Sequence, residues 1–135
     1  MRVFLDTNVV IDVAQGRPGA IASAAVLRAA QEHGNAGIVA WHTLSNLFYL
    51  MRRHYSSSQT AAAMIADLLL WVEVAGGGSA AARRAVALDY HDFEDALQMA
   101  AAEAAAADCI VTRNAADFTG GEVPVFTPEA FLSRP

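Results

Sequence analysis

The chain has 135 residues, near the commonest domain size, and 55% of them are hydrophobic with a mean hydropathy of +0.29, enough for one core spanning residues 1–135. A formal net charge of −5 argues against non-specific binding of nucleic acid by the whole surface, while a local patch can still hold a phosphate backbone. All nine basic residues are arginines, so a Walker A loop, a pyridoxal phosphate Schiff base and a receiver-type phosphorylation site each lack their central lysine.

The single Cys109 excludes an internal disulfide framework and a cysteine-rich zinc site, and its apolar neighbours make it a buried thiol. Met1 leads directly into a strand-like segment, and no apolar run is long enough for a bilayer. The expectation is therefore a reduced, cytoplasmic setting without a secretory signal or a membrane span.

Taken in chain order, the pattern predicts a strand at 2–5 and helices at 7–15 and 20–33, with a break at Gly34 to Gly37. A strand at 38–41 precedes helices at 43–55 and 58–70, and a third strand covers 71–75. Beyond the turn at Gly76-Gly77-Gly78 come helices at 79–88 and 93–107, strands at 109–112 and 123–126, and a helical turn at 128–132. Five strands separated by helical crossovers imply an α/β/α sandwich around a mainly parallel sheet. Thirty of the 135 residues are alanine, and most fall in the helical windows, where their propensity is high.

Within the third helix Leu44, Leu47, Phe48 and Met51 form a buried stripe. Asn46 points away from it and lies close enough to the second strand to reach the carboxyl edge of the sheet. Tyr49, Tyr55 and Trp71 suggest either a dimer surface or core packing.

In an open parallel sheet the functional crevice lies outside the carboxyl ends of the strands. Asp6 follows the first strand, Asp92 and Asp95 open the long Ala-rich helix, and Asn114 and Asp117 follow the fourth strand. Each acid alone also reads as a helix cap: Asp6 as an N-cap, Asp92 and Asp95 as an N-cap and N3 pair. Jointly they read as a divalent-metal site, because clustered carboxylates repel one another unless a cation is present. Oxygen ligands without thiolates or paired imidazoles point to Mg²⁺ or Mn²⁺. Glu94 reads as turned away and solvated, Asp12 as behind the site or at the surface, and His33, His42, His54 and His91 as surface or capping residues. Arg113 stands beside the acids as a candidate substrate contact, its guanidinium suited to phosphate.

Leu5-Asp6-Thr7-Asn8, Asp92-Phe93-Glu94-Asp95-Ala96-Leu97 and Ile110-Val111-Thr112-Arg113-Asn114 with Asp117-Phe118 resemble, in order and spacing, the signature of PIN-domain proteins. The closing Thr127-Pro128-Glu129-Ala130-Phe131-Leu132 extends the resemblance over essentially the whole chain. It implies a compact α/β/α fold and a metal-dependent ribonuclease like the VapC toxins of bacterial toxin–antitoxin pairs, with RNA as substrate, an antitoxin protein as partner and a homodimer as assembly. Carried over by position, Asp6, Asp95 and Asp117 are the acidic metal-site residues; Asp92 and Asn114 assist, and Thr112 and Asn8 hydrogen-bond the carboxylates. Asn46 stands where many PIN nucleases carry glutamate, which removes one negative charge.

Two other classes fit parts of the pattern. A non-catalytic PIN-like module binding RNA or protein would use the acids only as caps. A haloacid-dehalogenase-like phosphatase would also place an Asp after its first strand, but the D-x-D motif is interrupted by Asn8 and the usual later lysine is missing.

Overall fold

The computed structural model describes residues Met1–Pro135. Five strands form one sheet: β1 (Arg2–Leu5), β2 (Ala36–Ala40), β3 (Val72–Ala75), β4 (Cys109–Val111) and β5 (Val125–Phe126). Their order is β3-β2-β1-β4-β5, and every neighbouring pair is parallel. β1 is the hinge of this order. The chain builds outward from it through β2 and β3, then returns to the other side for β4 and β5, so the carboxyl ends of β1 and β4 flank a topological switch point, where such sheets bind ligands.

The strands read as continuous apolar runs because both faces are covered. Val3, Leu5, Val39, Cys109 and Val111 face one layer of core; Phe4, Ile38, Ala40 and Ile110 face the other. The first layer is closed by α1 (Thr7–Gln15), α2 (Ala20–Ala30), α3 (Trp41–Tyr55), α4 (Ser58–Leu69) and α7 (Pro128–Leu132). On the other face α6 (Phe93–Ala104) lies against the sheet, with α5 (Gly78–Leu88) packed on it. This is an α/β/α sandwich, with the sheet fully parallel. The apolar stripe of α3 does face the core: Leu47 and Met51 are buried, and Leu44 and Phe48 pack against them.

Caps set the helix ends that matter for the site. α1 begins on the side chain of Asp6 and stops at Gly16, whose φ of 64° is the left-handed conformation that glycine adopts without strain. α6 begins on Asp92, whose side chain accepts from two backbone N–H groups of the first turn. Asn114 starts a single 3-10 turn, Ala115–Asp117, directly after β4.

Trp71 departs from the dimer-surface alternative. It is half-buried and packs against the first core layer, with its indole against Gly37. No helix is long and apolar enough to cross a membrane.

Candidate active site

Asp6 leaves β1 at the switch point, and its backbone N–H donates to the Val111 carbonyl at 3.0 Å, tying this turn to the end of β4. The side chain is 1% exposed. Its Oδ1 accepts from the Asn8 backbone N–H at 3.4 Å and from Gln98 Nε2 at 2.7 Å, while Oδ2 accepts from Thr112 Oγ1 at 2.5 Å. The Thr112 hydroxyl also accepts from the Asn114 backbone N–H at 3.1 Å, so its one proton is directed at Asp6. Burial still raises the Asp6 carboxyl above the usual range; the bonds from Thr112, Gln98 and Asn8 pull it down, and the charge of Glu94 pushes it further up.

The second acid arrives on α6. Asp92 Oδ1 accepts from the N–H of Glu94 at 2.9 Å and of Asp95 at 3.4 Å, which fixes the first turn and turns Asp95 inward, 9% exposed. The Asp95 carboxyl is pushed up to about 7, first by burial and then by the charges of Asp92, Asp6, Glu94 and Asp117. Four acids therefore act on one buried carboxyl.

Asp117 ends the 3-10 turn and is exposed; its backbone N–H donates to the Asn114 carbonyl at 2.9 Å. Asp92 and Asp117 line one recess, about 480 Å³, together with Tyr90 and His91. Asn8 and Asn46 line another of about 290 Å³, with Thr7, Tyr49, Leu50 and Glu94. Asn46 thus opens toward the turn after β1, and Asp95 feels acids from both recesses.

No three His, Cys, Asp or Glu side chains stand close enough together to hold a metal ion between them. The donors on offer are carboxylate and carboxamide oxygens. That set suits Mg²⁺ or Mn²⁺, since hard ions of this kind keep several waters and take only one or two carboxylates from a protein. What the acids share is charge: Asp92, Asp6, Glu94 and Asp117 all push the Asp95 carboxyl up, a repulsion that a bound cation would relieve.

Three side chains around Asp6 escaped the sequence reading. Glu94 is half-buried, contrary to the expectation of a solvated residue: its Oε1 accepts from Gln98 Nε2 at 3.0 Å, and its Oε2 lies 2.6 Å from His42 Nε2. Gln98 is fully buried, although glutamine is usually a surface residue. Its spacing of three from Asp95 and four from Glu94 was the available signal. Nothing local marked His42, which joins the first turn of α3 to α6.

Arg113 has a structural partner. Its Nε lies 3.0 Å from Oδ2 of Asp12, which is fully buried and also accepts from Ser23 Oγ at 3.1 Å. Asp12 therefore belongs to the interior, not the surface, and Arg113 supplies its counter-charge. The Arg113 side chain remains 39% exposed, which leaves part of the guanidinium open to solvent.

The PIN domain family model matches residues 2–116. No curated protein matches the sequence. Among solved structures, a chain of VapBC2 from Rickettsia felis bound to a DNA fragment of its promoter superposes with a TM-score of 0.76 at 16% identity, covering 94% of this chain and 98% of that one. A toxin–antitoxin complex from Klebsiella pneumoniae gives a TM-score of 0.69 at 25% identity, covering 93% and 97%. VapC20 from Mycobacterium tuberculosis, a toxin that cleaves the sarcin–ricin loop, gives 0.64 at 17% identity, covering 80% and 86%. With its signature segments brought to one edge of a parallel sheet and the family model matching most of its length, the chain belongs to the PIN-domain family.

Proposed function

We propose that this protein is a single-domain, metal-dependent endoribonuclease that hydrolyses RNA phosphodiester bonds with Mg²⁺ or Mn²⁺, as the cytoplasmic toxin of a toxin–antitoxin pair. The observation that carries the reading is the pairing at the switch point of a buried, donor-fixed Asp6 with an Asp95 carboxyl pushed up to about 7. When bound, the ion supplies Lewis acidity at the phosphate and makes water a stronger nucleophile at neutral pH. Asp6, Asp95 and Asp117 are assigned to hold it, assisted by Asp92, Asn46 and Asn114.

The remaining work falls to the chain's own groups. Thr112, the Asn8 N–H and Gln98 keep the Asp6 carboxylate in one orientation, so no reorganisation is needed when substrate arrives. Asp95 or Asp117 is assigned to orient the attacking water; the raised Asp95 carboxyl belongs to the metal-free protein, where burial and neighbouring acids create a repulsion that a bound cation would relieve. Arg113 anchors the loop after β4 through Asp12, and its exposed edge is assigned to the RNA backbone.

Complexes with antitoxins among the structural neighbours support a protein partner. So does an apolar recess of about 260 Å³ lined by Val10, Leu27, Leu47, Met51, Met64 and Trp71, on the face opposite α6. The homodimer is part of the same proposal, with Tyr49 and Tyr55 as its half-exposed aromatics.

A second reading, a non-catalytic binding module, is favoured by one observation: Asp6 and Asp92 do cap α1 and α6. Incubation of purified protein with structured and single-stranded RNAs, with Mn²⁺ or with a chelator, separates the two. Cleavage only with Mn²⁺ supports the nuclease. Intact RNA, with no rise in stability at saturating Mn²⁺ where about 100 times Kd should add roughly 2.7 kcal/mol, supports the binding module.

A further inference from the structure

Two large aromatic side chains stand exposed on the edge of the sheet that carries Asp6. Trp41, the first residue of α3, is 69% exposed, and Phe93, the first residue of α6, is 51% exposed. Their helices meet at this edge: the next residue of each, His42 and Glu94, make the 2.6 Å contact between Nε2 and Oε2. The strand register sets the distance to Asp6. β1 pairs with β2 as Phe4 to Ile38, so two residues further on Asp6 stands level with Ala40, which Trp41 follows directly. One strand spacing, about 5 Å, separates those two positions.

Beside Trp41 the edge is hollow. A recess of about 170 Å³ lies outside the carboxyl ends of β2 and β3, with Trp41, His42, Ala40, Ala75, Gly76 and Leu97 in its lining. Phe93 precedes Leu97 by one helical turn, which puts the second ring on the side of α6 that faces the recess. The bland account is two apolar residues scattered on a surface, as most proteins have. It leaves unexplained why both are aromatic and both stand at the edge where a parallel sheet binds ligands. The rim is also polar in a particular way. Neither α3 nor α5, which both open beside this recess, has a side-chain cap, so first-turn N–H groups and the positive ends of two helices lie next to the rings. Flat apolar faces beside donors for an anion match a nucleotide, which carries a ring and a phosphate together.

Resting on the nuclease reading above, we propose that Trp41 is a base-stacking residue for single-stranded RNA, holding a nucleobase next to the phosphate at Asp6, with Phe93 as the second ring of the platform. Stacking draws on no net charge, so it suits a chain at −5. It also narrows the substrate: the base must be free to leave its own stack, as in a loop, a bulge or a single strand. Because every base has a π-face, the platform holds RNA without choosing its sequence.

The test is binding of a dye-labelled single-stranded oligoadenylate RNA, followed by anisotropy and by tryptophan emission, with a chelator present so that no strand is cut. Parent, Trp41→Ala, Trp41→Phe and Phe93→Ala are compared, with melting temperatures in parallel. RNA should quench the parent's emission. Trp41→Phe should keep the affinity within about threefold yet lose the quenching, because the remaining Trp71 is half-buried against the first core layer. Trp41→Ala should bind about fivefold more weakly or worse, and Phe93→Ala should shift affinity in the same direction. An oligomer of abasic sugar-phosphate units, which has phosphates but no rings, should bind parent and Trp41→Ala alike. Equal RNA affinity in parent and Trp41→Ala, or quenching that survives in Trp41→Phe, overturns the proposal. If alanine lowers the melting temperature, Trp41→Leu keeps apolar bulk without the ring: weaker RNA binding supports the proposal, and equal binding overturns it. RNA that binds through Trp41 but stays intact with Mn²⁺ supports this inference and removes the nuclease reading. RNA cut with Mn²⁺ by a protein whose binding ignores Trp41→Ala overturns this inference alone, and a parent that binds no RNA with or without Mn²⁺ overturns both.

Discussion

Asp95 sets the pH behaviour expected of the metal-free protein. Its carboxyl moves from an ordinary 3.8 to about 7 on folding, chiefly through burial and then through its acidic neighbours. Between those values the folded chain holds a proton that the unfolded chain has lost, so stability falls as pH rises through that window and is level for this group on either side. Asp6, raised by burial, contributes in the same direction. Thermal unfolding without divalent ions should therefore give a lower Tm at about pH 8 than at about pH 5, and Asp95→Asn should flatten the slope. Identical slopes in parent and variant would mean that Asp95 is not the titrating group. Asp6 and Asp95 were legible because each follows a strand or opens a helix. Glu94 was not: helical spacing places its Cβ on a neighbouring face, but a long side chain folds back to meet Gln98, and Gln98 meets Asp6 across 92 positions of sequence, which no local pattern records.

At the scale of elements, the caps were the most readable signals. Asp6 with Gly16 bounds α1, and Thr127 with Pro128 opens α7, as their chemistry dictates. Boundaries set by tertiary contact were less so. The long alanine run favours helix to residue 107, yet α6 stops at Ala104, and Ala106 turns with a φ of 53°. The chain must leave the helix there because the Asp108 N–H donates to the Arg2 carbonyl at 2.8 Å and its carboxylate accepts from the Arg2 N–H at 2.6 Å, which lays β4 beside β1. Likewise β2 begins at Ala36, two residues before the predicted start, with Gly37 inside the strand and not in a break. A Cβ on Gly37 would stand 2.7 Å from the Trp71 ring, so the glycine is there for close packing. Gly37→Ala is predicted to cost about 1–3 kcal/mol in urea unfolding through overpacking. A change below a few tenths would show that Trp71 yields easily.

For the whole molecule, the parallel order β3-β2-β1-β4-β5 was legible as a class, from strands alternating with helices, but the order itself came only from which faces the helices cover. The order is what brings Asp6 and the turn after β4 to one crevice. On the proposed nuclease reading, the net charge of −5 makes assembly relevant, since an RNA would have to approach an acidic protein through local arginines. Arg52 and Arg53 are exposed at the end of α3, with Arg53 Nη1 donating to the Tyr49 hydroxyl at 3.2 Å. Pairing of two chains through α3 and α4 would set these arginines beside a shared groove. Light scattering at assay concentration should then report a dimer; only a 14.3 kDa species would rule that assembly out.

The central claim, that the crevice between β1 and β4 is a metal-dependent ribonuclease site, is tested most directly by single-turnover RNA cleavage in Mn²⁺ with parent and Asp6→Asn protein purified side by side. Asparagine caps a helix as well as aspartate, so α1 should be preserved, and melting curves of both proteins check that each is folded although one buried acceptor of Asp6 is lost. The account predicts a rate at least about a hundredfold lower in the variant. Equal rates in parent and variant, with both proteins folded, would contradict it.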